Sequence, residues 1–535
     1  MRRAFAACLL VATLSAVSFA QVPLNSERSD WSVPAAAWWA HVQYLADDKL
    51  EGRRTGTPGY DKAVAYVVDQ FKAIGLKPAG TQGYLQPIDF QPVSLDMAKS
   101  SAVLKVNGVE TPLALGTDLT LTPGLTTDSV NASMVFIGYG LRIPSKHRND
   151  YTDEDVRGKI AVFYNAPPVD LLGNQRAYGR GNDQRWKSLR AAGAVGMIQI
   201  AMPRPGAAAP RGVGRPPSAL LFADPSLDSL AGIQIVGTLT PTGAAKLFAG
   251  TGHTLDELTA LAIPGKPLPH FPIAGTLTAS AVPTLGAAFH APNVIGMIEG
   301  SDPKLKSEYV VVSAHLDHLG VQGDGPGDHI FNGAMDNASG VASVIECAKL
   351  IAASKVRPKR SILFITLAAE ELGELGSSYF ARKPSVLKQN VVGDLNMDMY
   401  MPLFPLRYIQ VQGMAESTLG NDARATFQLN DVEVQFDLQP EENRFVRSDQ
   451  VNFVKQGIPA IAFKFGWVPD SPEMKIYNDW VATRYHKASD DLDQPVDKVA
   501  AAQFTGVLAQ LMLRVANAKD RPAWYPESSF ATASK

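Results

Sequence analysis

A chain of 535 residues is too long to close around one ordinary hydrophobic core, so more than one domain is expected. With 46% hydrophobic and 19% charged residues, and 44 Gly and 37 Pro to make turns, the composition is that of a globular protein. A formal net charge of −2 offers no global field for nucleic acid or an anionic membrane surface, so no nucleic-acid partner is expected.

The N-terminus has the pattern of an export signal. Arg2 and Arg3 precede an uncharged run from Ala4 to Ala20, and Ser18-Phe19-Ala20 puts small residues where cleavage needs them. Residues 1–20 therefore read as a signal peptide, and the mature chain begins near Gln21. The run is short and rich in Ala and Ser, so no stable membrane anchor is expected after cleavage. The protein is expected to be periplasmic or secreted. Cys8 falls within the signal, and Cys347 alone leaves the mature chain without an intramolecular disulfide.

Residues 21–90 read as the N-terminal part of the domain that resumes at 281. Pro34 to Asp47 is helical in pattern, and Leu50 to Gly59 is a turn-rich loop carrying Arg53 and Arg54. The loop feeds a helix with Thr57 as N-cap, Pro58 at its first position and Gly75 as terminator. Tyr60, Ala63, Val64, Val67, Val68, Phe71 and Ile74 repeat there at helical spacing.

Residues 91–280 change character. Short β-rich runs (Ala102 to Val106, Ser133 to Tyr139, Lys159 to Tyr164, Gly196 to Ile200, Ile233 to Leu239) alternate with turn residues, and Trp186 to Ala194 looks helical. Pro203 to Pro217 is low in complexity and reads as a surface loop. The acidic residues and His147, His253 and His270 form no ligand spacing, so this region reads as a separate β-rich domain with little catalytic potential.

Residues 281–518 alternate strands and helices, which implies an α/β fold with a mixed central sheet and helices on both faces. The expected strands are Asn293 to Ile298, Glu308 to Ala314, Ser361 to Leu367, Val391 to Met397, Tyr408 to Gln412 and Ile458 to Phe465. The expected helices are Ala338 to Ala353, Ser448 to Gln456 and Asp497 to Ala516. The tail, 519–535, is polar and reads as an irregular strap or a disordered end.

The stretch Ser313 to Gly340 runs from the end of a β-branched strand through His315-Leu316-Asp317 and a Gly/Asp-rich loop to Asp336, just before a helix. Strand ends of this kind carry the sites of open α/β sheets. Glu371, Asp398 and His486 also stand at the ends of predicted elements. Two imidazoles and three carboxylates, with no thiolate, suit Zn²⁺, with Mn²⁺ or Co²⁺ as substitutes. Glu370-Glu371 follows a buried run, where paired carboxylates are costly without countercharge. One can ligate metal while the other moves a proton.

These motifs resemble those of the co-catalytic di-zinc exopeptidases, the family of bacterial leucyl aminopeptidases, aminopeptidase Y and glutamate carboxypeptidase. The matching stretches are LEGRRTGTPGYDKA at Leu50, SAHLDHLG at Ser313, NGAMDNASG at Asn332, AAEELGELGS at Ala368, NMDM at Asn396, SDQVNFVKQGIPA at Ser448 and YHKASDDLD at Tyr485. VFIGYGL and GKIAVFYN resemble the protease-associated domain that many members carry inserted, which would be residues 91–280 here. The resemblance implies two Zn²⁺ per chain, bridged by Asp336. Glu371 and His486 would complete one ion, and His315 with Asp398 the other. Glu370 would be the general base, Asp317 would orient the His315 imidazole, and Tyr485 would face the tetrahedral oxyanion. It also implies an aminopeptidase that cleaves the first peptide bond of peptide substrates with a metal-bridged hydroxide.

The chain departs from the family pattern at Met335, where Asp usually precedes the bridging Asp, at Gln450, where many members have His, and at Tyr400-Met401, where Gly is common. None removes a ligand, so these departures bear on substrate preference. A carboxypeptidase would need a basic clamp such as Arg447. A non-catalytic receptor or scaffold would be expected to lose ligands, and a single-zinc glutaminyl-cyclase-like transferase would lack the full set.

Overall fold

Four apolar runs build the centre of the fold. Ser361–Leu367, Tyr309–His315, Val391–Asn396 and Ala460–Phe465 lie side by side in that order and parallel. Apart from Tyr309 every residue in them is buried, as strands covered on both faces require. Antiparallel neighbours extend the sheet: Phe289–Ile298 and then Leu85–Leu95 on one side, Tyr408–Gln412 on the other. The computed structural model from which this is read describes residues 31–531, apart from 167, 169, 170, 172 and 202–215. The expected export signal and all but the last two residues of the 203–217 stretch lie outside the described residues.

Alternate strand residues point to opposite faces, and each face has its own core. Val310, Val312, Ile362 and Phe364 pack with the helices Ala35–Leu45, Pro58–Ile74, Ser339–Ala353 and Lys498–Asn517. Val311, Leu363 and Ile365 pack with Leu375–Arg382 and Gln450–Lys455. The mixed sheet with helices on both faces is thus the architecture. Lys498–Asn517 is long and apolar enough to cross a membrane, but most of it is buried in this core. Pro58–Ile74 starts as its sequence indicates, with Thr57 Oγ1 accepting from the Tyr60 N–H, and stops at Gly75 at φ 84°.

A second sheet of eight strands has separate cores. Its middle strands, Asp128–Ile137, Ile160–Asn165, Gly196–Ala201 and Val236–Leu239, are parallel. The region is less purely β than its sequence suggests: Asn182–Ala191, Pro241–Phe248 and Leu255–Ala262 are helices, the last two capped by Thr240 and Thr254. Leu85–Leu95 runs past residue 91 within the main sheet, and Ser218–Phe222 returns to pair with it. The tail forms a strap, with Phe530 buried against Phe445, Tyr178 and Trp524, and with Trp524 Nε1 donating to Gly457 O.

Asp394, inside the strand Val391–Asn396, is a buried carboxyl. Ser313 Oγ donates to its Oδ1 at 2.8 Å, and Oδ2 has no hydrogen-bond partner. Burial pushes this carboxyl well above the usual carboxylate range. The native state therefore binds more protons than the unfolded chain, and the stability this group contributes is full below about pH 4 and lost as pH rises. Asp394→Asn keeps the Ser313 bond without a titrating group. Its stability relative to the parent should rise as pH increases above about 4, by up to about 1.4 kcal/mol per unit, in denaturant melts of chelated protein.

Candidate metal centre

The strand order delivers the polar groups to one edge. His315 ends its strand, Glu370 and Glu371 follow Ser361–Leu367, and Asp398 follows Val391–Asn396, so three adjacent parallel strands present them together. Asp336 arrives on the loop before Ser339–Ala353, and His486 just after the helix Pro472–Thr483. Ala369 (φ 54°), Met399 (φ 48°) and His486 (φ 54°) are left-handed residues beside or at these ligands. Each such residue costs on the order of 1 kcal/mol and persists only where its surroundings fix it.

Asp336 stands in the middle. Its Oδ1 lies 3.2 Å from His315 Nε2 and its Oδ2 3.2 Å from His486 Nε2. Asp398 Oδ1 is 3.5 Å from His315 Nε2, and Glu371 Oε2 is 3.2 Å from His486 Nε2. All five ligand positions expected from sequence therefore converge, as two groups that share Asp336. A sixth group was not anticipated. His318 is wholly buried, with Nδ1 2.7 Å from Glu371 Oε1 and 4.0 Å from Asp336 Oδ2. Its signal in the sequence was the second His of HLDH.

The donor set fits divalent ions. His315, Asp336 and Asp398 offer ligand atoms within 4.8 Å of one another, as do His318, Asp336 and Glu371. Asp398 Oδ1, Glu371 Oε1 and both ring nitrogens of His318 are buried without hydrogen-bond geometry to any partner. Buried carboxylates left this way cost several kcal/mol unless a cation compensates them. The imidazoles register the same demand. Burial pulls the His486 imidazolium down, but Asp336 and Glu371 outweigh it and push His486 up to about 10. Glu370 is raised well above the carboxylate range, first by burial and also by Asp449, Asp398 and Glu371.

Asp317 meets His315 through its main chain. His315 Nδ1 lies 3.1 Å from the main-chain carbonyl of Asp317 and 4.0 Å from its carboxylate, so the carbonyl holds the imidazole. The carboxylate accepts from the Glu370 N–H at 3.1 Å. A main-chain partner of this kind has no sequence signature. Asp490, in the YHKASDDLD stretch, accepts from the N–H groups of Met335 (2.9 Å) and Asp336 (3.0 Å).

Arg53 holds the two ligand loops together. Fully buried, its guanidinium donates to Leu316 O (2.8 Å), Leu45 O (3.1 Å), Gly333 O (2.7 Å) and Asn332 O. Burial lowers it to about 10 against the raising fields of Asp490 and Asp336, so it stays charged. Gly333, at φ 60°, is required by the same packing: a Cβ there would meet Asp336 O at 2.1 Å and the His318 ring at 2.4 Å.

Beyond Asp398 a cavity of about 240 Å³ opens, bordered by Tyr485, Arg444, Arg447 and Lys464. The Tyr485 ring stacks on His486 at 4.0 Å, and burial raises its phenol so that it keeps its proton. Lys464 Nζ donates to Asp398 O at 2.7 Å; burial pulls its ammonium down to about 8, with Asp398 opposing and Arg444 adding to the shift. Gln450 accepts from Asn396 Nδ2 and donates to Arg444 O and Phe445 O, so this departure fixes the cavity's loop.

Two substitutions probe this arrangement. Arg53→Met strips donors from several buried carbonyls and should cost at least about 3 kcal/mol in chemical denaturation, with Arg53→Lys recovering only part. His318→Ala should weaken zinc binding about 10–100-fold, measured by competition with a chromophoric chelator.

Residues 293–512 match the profile of peptidase family M28. A probable zinc metalloprotease of Pyrenophora teres f. teres (strain 0-1) is 33% identical over 111 residues, which are 20% of this chain and 22% of that protein. Leupeptin-inactivating enzyme 1 of Streptomyces exfoliatus is 32% identical over 108 residues, again 20% of this chain and 22% of that protein. These matches thus span under a quarter of either relative. An aminopeptidase from Aneurinibacillus sp. strain AM-1 aligns over 91% of this chain and 94% of its own, at a TM-score of 0.46 and 19% identity. The matched profile encloses His315, Asp336, Glu371, Asp398 and His486, so the segment that carries the candidate metal centre is the one similar to peptidase family M28.

Proposed function

We propose that this chain is an exported zinc aminopeptidase that removes the N-terminal residue of peptides. The observation that carries the reading is Asp336, whose two oxygens face two imidazole–carboxylate groups inside the family M28 segment. His315, Asp336 and Asp398 would hold one ion, and Asp336, Glu371 and His486 the other, with His318 against Glu371. Bound divalent ions supply Lewis acidity to the scissile carbonyl and lower the pKa of water held there.

The protein groups then have separate tasks. Glu370 takes a proton from the attacking water and returns it to the leaving amine. The water's oxygen joins the acyl carbon and the C–N bond breaks. Asp317 fixes the Glu370 main chain. Tyr485, kept protonated by burial, donates toward the oxyanion. The substrate's ammonium sits against acidic groups beside the ions. The Arg2-Arg3 and Ala4 to Ala20 pattern supports export, and the second sheet is read as the inserted protease-associated domain.

One observation favours a second reading. Arg447 borders the cavity beside Asp398, where a carboxypeptidase would need a clamp. Hydrolysis of free-amine, N-blocked and C-amidated peptides, before chelation, after it and after zinc is restored, separates the two. The proposal expects chelator-sensitive, zinc-restored release of N-terminal residues that is lost on N-blocking. Cleavage that survives N-blocking and fails on C-amidation overturns it in favour of a carboxypeptidase. Glu370→Gln should lower kcat about 10²–10⁴-fold with zinc content unchanged by elemental analysis.

A further inference from the structure

The cavity beside Asp398 differs in charge from the edge it adjoins. Arg444, Arg447 and Lys464 all border it, and the bordering carboxylates are Asp398, which faces His315, and Glu442 at the rim. Glu442 answers only part of this charge. Its Oε2 is 3.6 Å from Arg447 Nη1, and both side chains are about half exposed (50% and 54%). Each cation keeps donors free. Lys464 Nζ has one hydrogen bond, to Asp398 O, and can make two more. Arg444 Nη2 donates to Gln439 Oε1, and Arg447 Nη1 to Glu442 O, which leaves most of each guanidinium fork unused.

The cavity also holds a buried donor without a partner. Gln412, 2% exposed at the end of Tyr408–Gln412, borders it, and Gln412 Nε2 makes no hydrogen bond. Like charges gathered around a half-enclosed space repel one another, and an orphaned buried amide costs free energy. A single anion answers both. The positions are not left to chance, since Gln450 pins the main chain of Arg444 and Lys464 is held by Asp398.

We infer that this cavity is a carboxylate-binding subsite, in which Arg444, Arg447, Lys464 and the Gln412 amide receive a carboxylate of the substrate next to the reacting bond. The subsite rests on the peptidase reading above and narrows its substrates. The carboxylate is either the acidic side chain of the N-terminal residue or the terminal α-carboxylate of a very short peptide. A planar carboxylate matches the Arg forks, and the cavity's volume admits a group of that size.

The test uses the zinc-loaded full chain with four peptide arms: Glu-initiated against Gln-initiated peptides with amidated C-termini, and Leu-initiated dipeptides with free against amidated C-termini. Arg447→Glu, on the exposed rim, and Lys464→Met are run in parallel. Calorimetric titration of glutarate into the metal-free full chain, with glutaramide as control, reads the subsite without catalysis. A Glu-over-Gln preference in kcat/KM of about 10-fold or more, inverted by Arg447→Glu, upholds the subsite for a side chain. A preference of that size for the free C-terminus, lost in Arg447→Glu, upholds it for the α-carboxylate. Hydrolysis with neither preference, and no glutarate binding, overturns the subsite and leaves the peptidase reading intact. If no peptide is cleaved, glutarate binding that Arg447→Glu abolishes overturns the peptidase reading alone. No cleavage and no binding overturn both.

Discussion

Carboxylates that cannot reach water need positive charge, and this fold collects them at one edge. The parallel strands Ser361–Leu367, Tyr309–His315 and Val391–Asn396 are neighbours, so the residues that follow each of them meet at the same level. Asp336, Glu371 and Asp398 converge there with Glu370 behind them, at separations where mutual repulsion in a poorly solvated site is severe. Imidazoles alone answer this only by taking up protons, as the upward shift of His486 shows. Divalent ions answer it directly. The supports around the site follow from the same constraint. Arg53 ties Leu316 to Asn332 and Gly333, Asp490 holds the Asp336 main chain, and left-handed turns at Ala369 and Met399 aim the carboxylates.

Charge changes sign a short distance away. Lys464 links the two regions, because its ammonium grips the Asp398 carbonyl while its remaining donors face the cavity with Arg444 and Arg447. An acidic edge that collects cations beside a basic hollow that collects carboxylates gives a zwitterionic peptide one favoured orientation. Electrostatic complementarity of this kind selects among substrates more than it adds raw affinity.

Much of this was legible in the sequence. Ser361–Leu367 and Tyr408–Gln412 have the expected bounds, because a continuous apolar run in the first, and Tyr, Ile and Val alternating with Gln in the second, have few other fates between turn residues. The five expected ligand positions lie at element ends, where the alternation of strand and helix puts them. Other features depend on partners far away in the chain. Leu85–Leu95 contains prolines and joins the sheet through Phe289–Ile298, about two hundred residues on. Leu375–Arg382 is entered from Glu374 at φ 57° with no side-chain cap, so it lacked a start signal. Arg53 reads as a loop cation, and only the fold shows that its guanidinium is wholly enclosed among carbonyls. His318 follows Asp317 with no periodicity to mark it, and its burial against Glu371 is a tertiary fact. The role of Asp317 hinges on which of its oxygens faces His315, which no motif specifies.

The central claim is that the clustered carboxylates exist to hold a pair of ions through Asp336. Elemental analysis of zinc bound to the purified chain and to Asp336→Asn, after equilibration with limiting free zinc, tests it most directly. The account predicts about two zinc ions per parent chain and loss of both together in Asp336→Asn, because each ion would draw on that carboxylate. A parent that binds no zinc, or an Asp336→Asn protein that keeps its full complement, would contradict it.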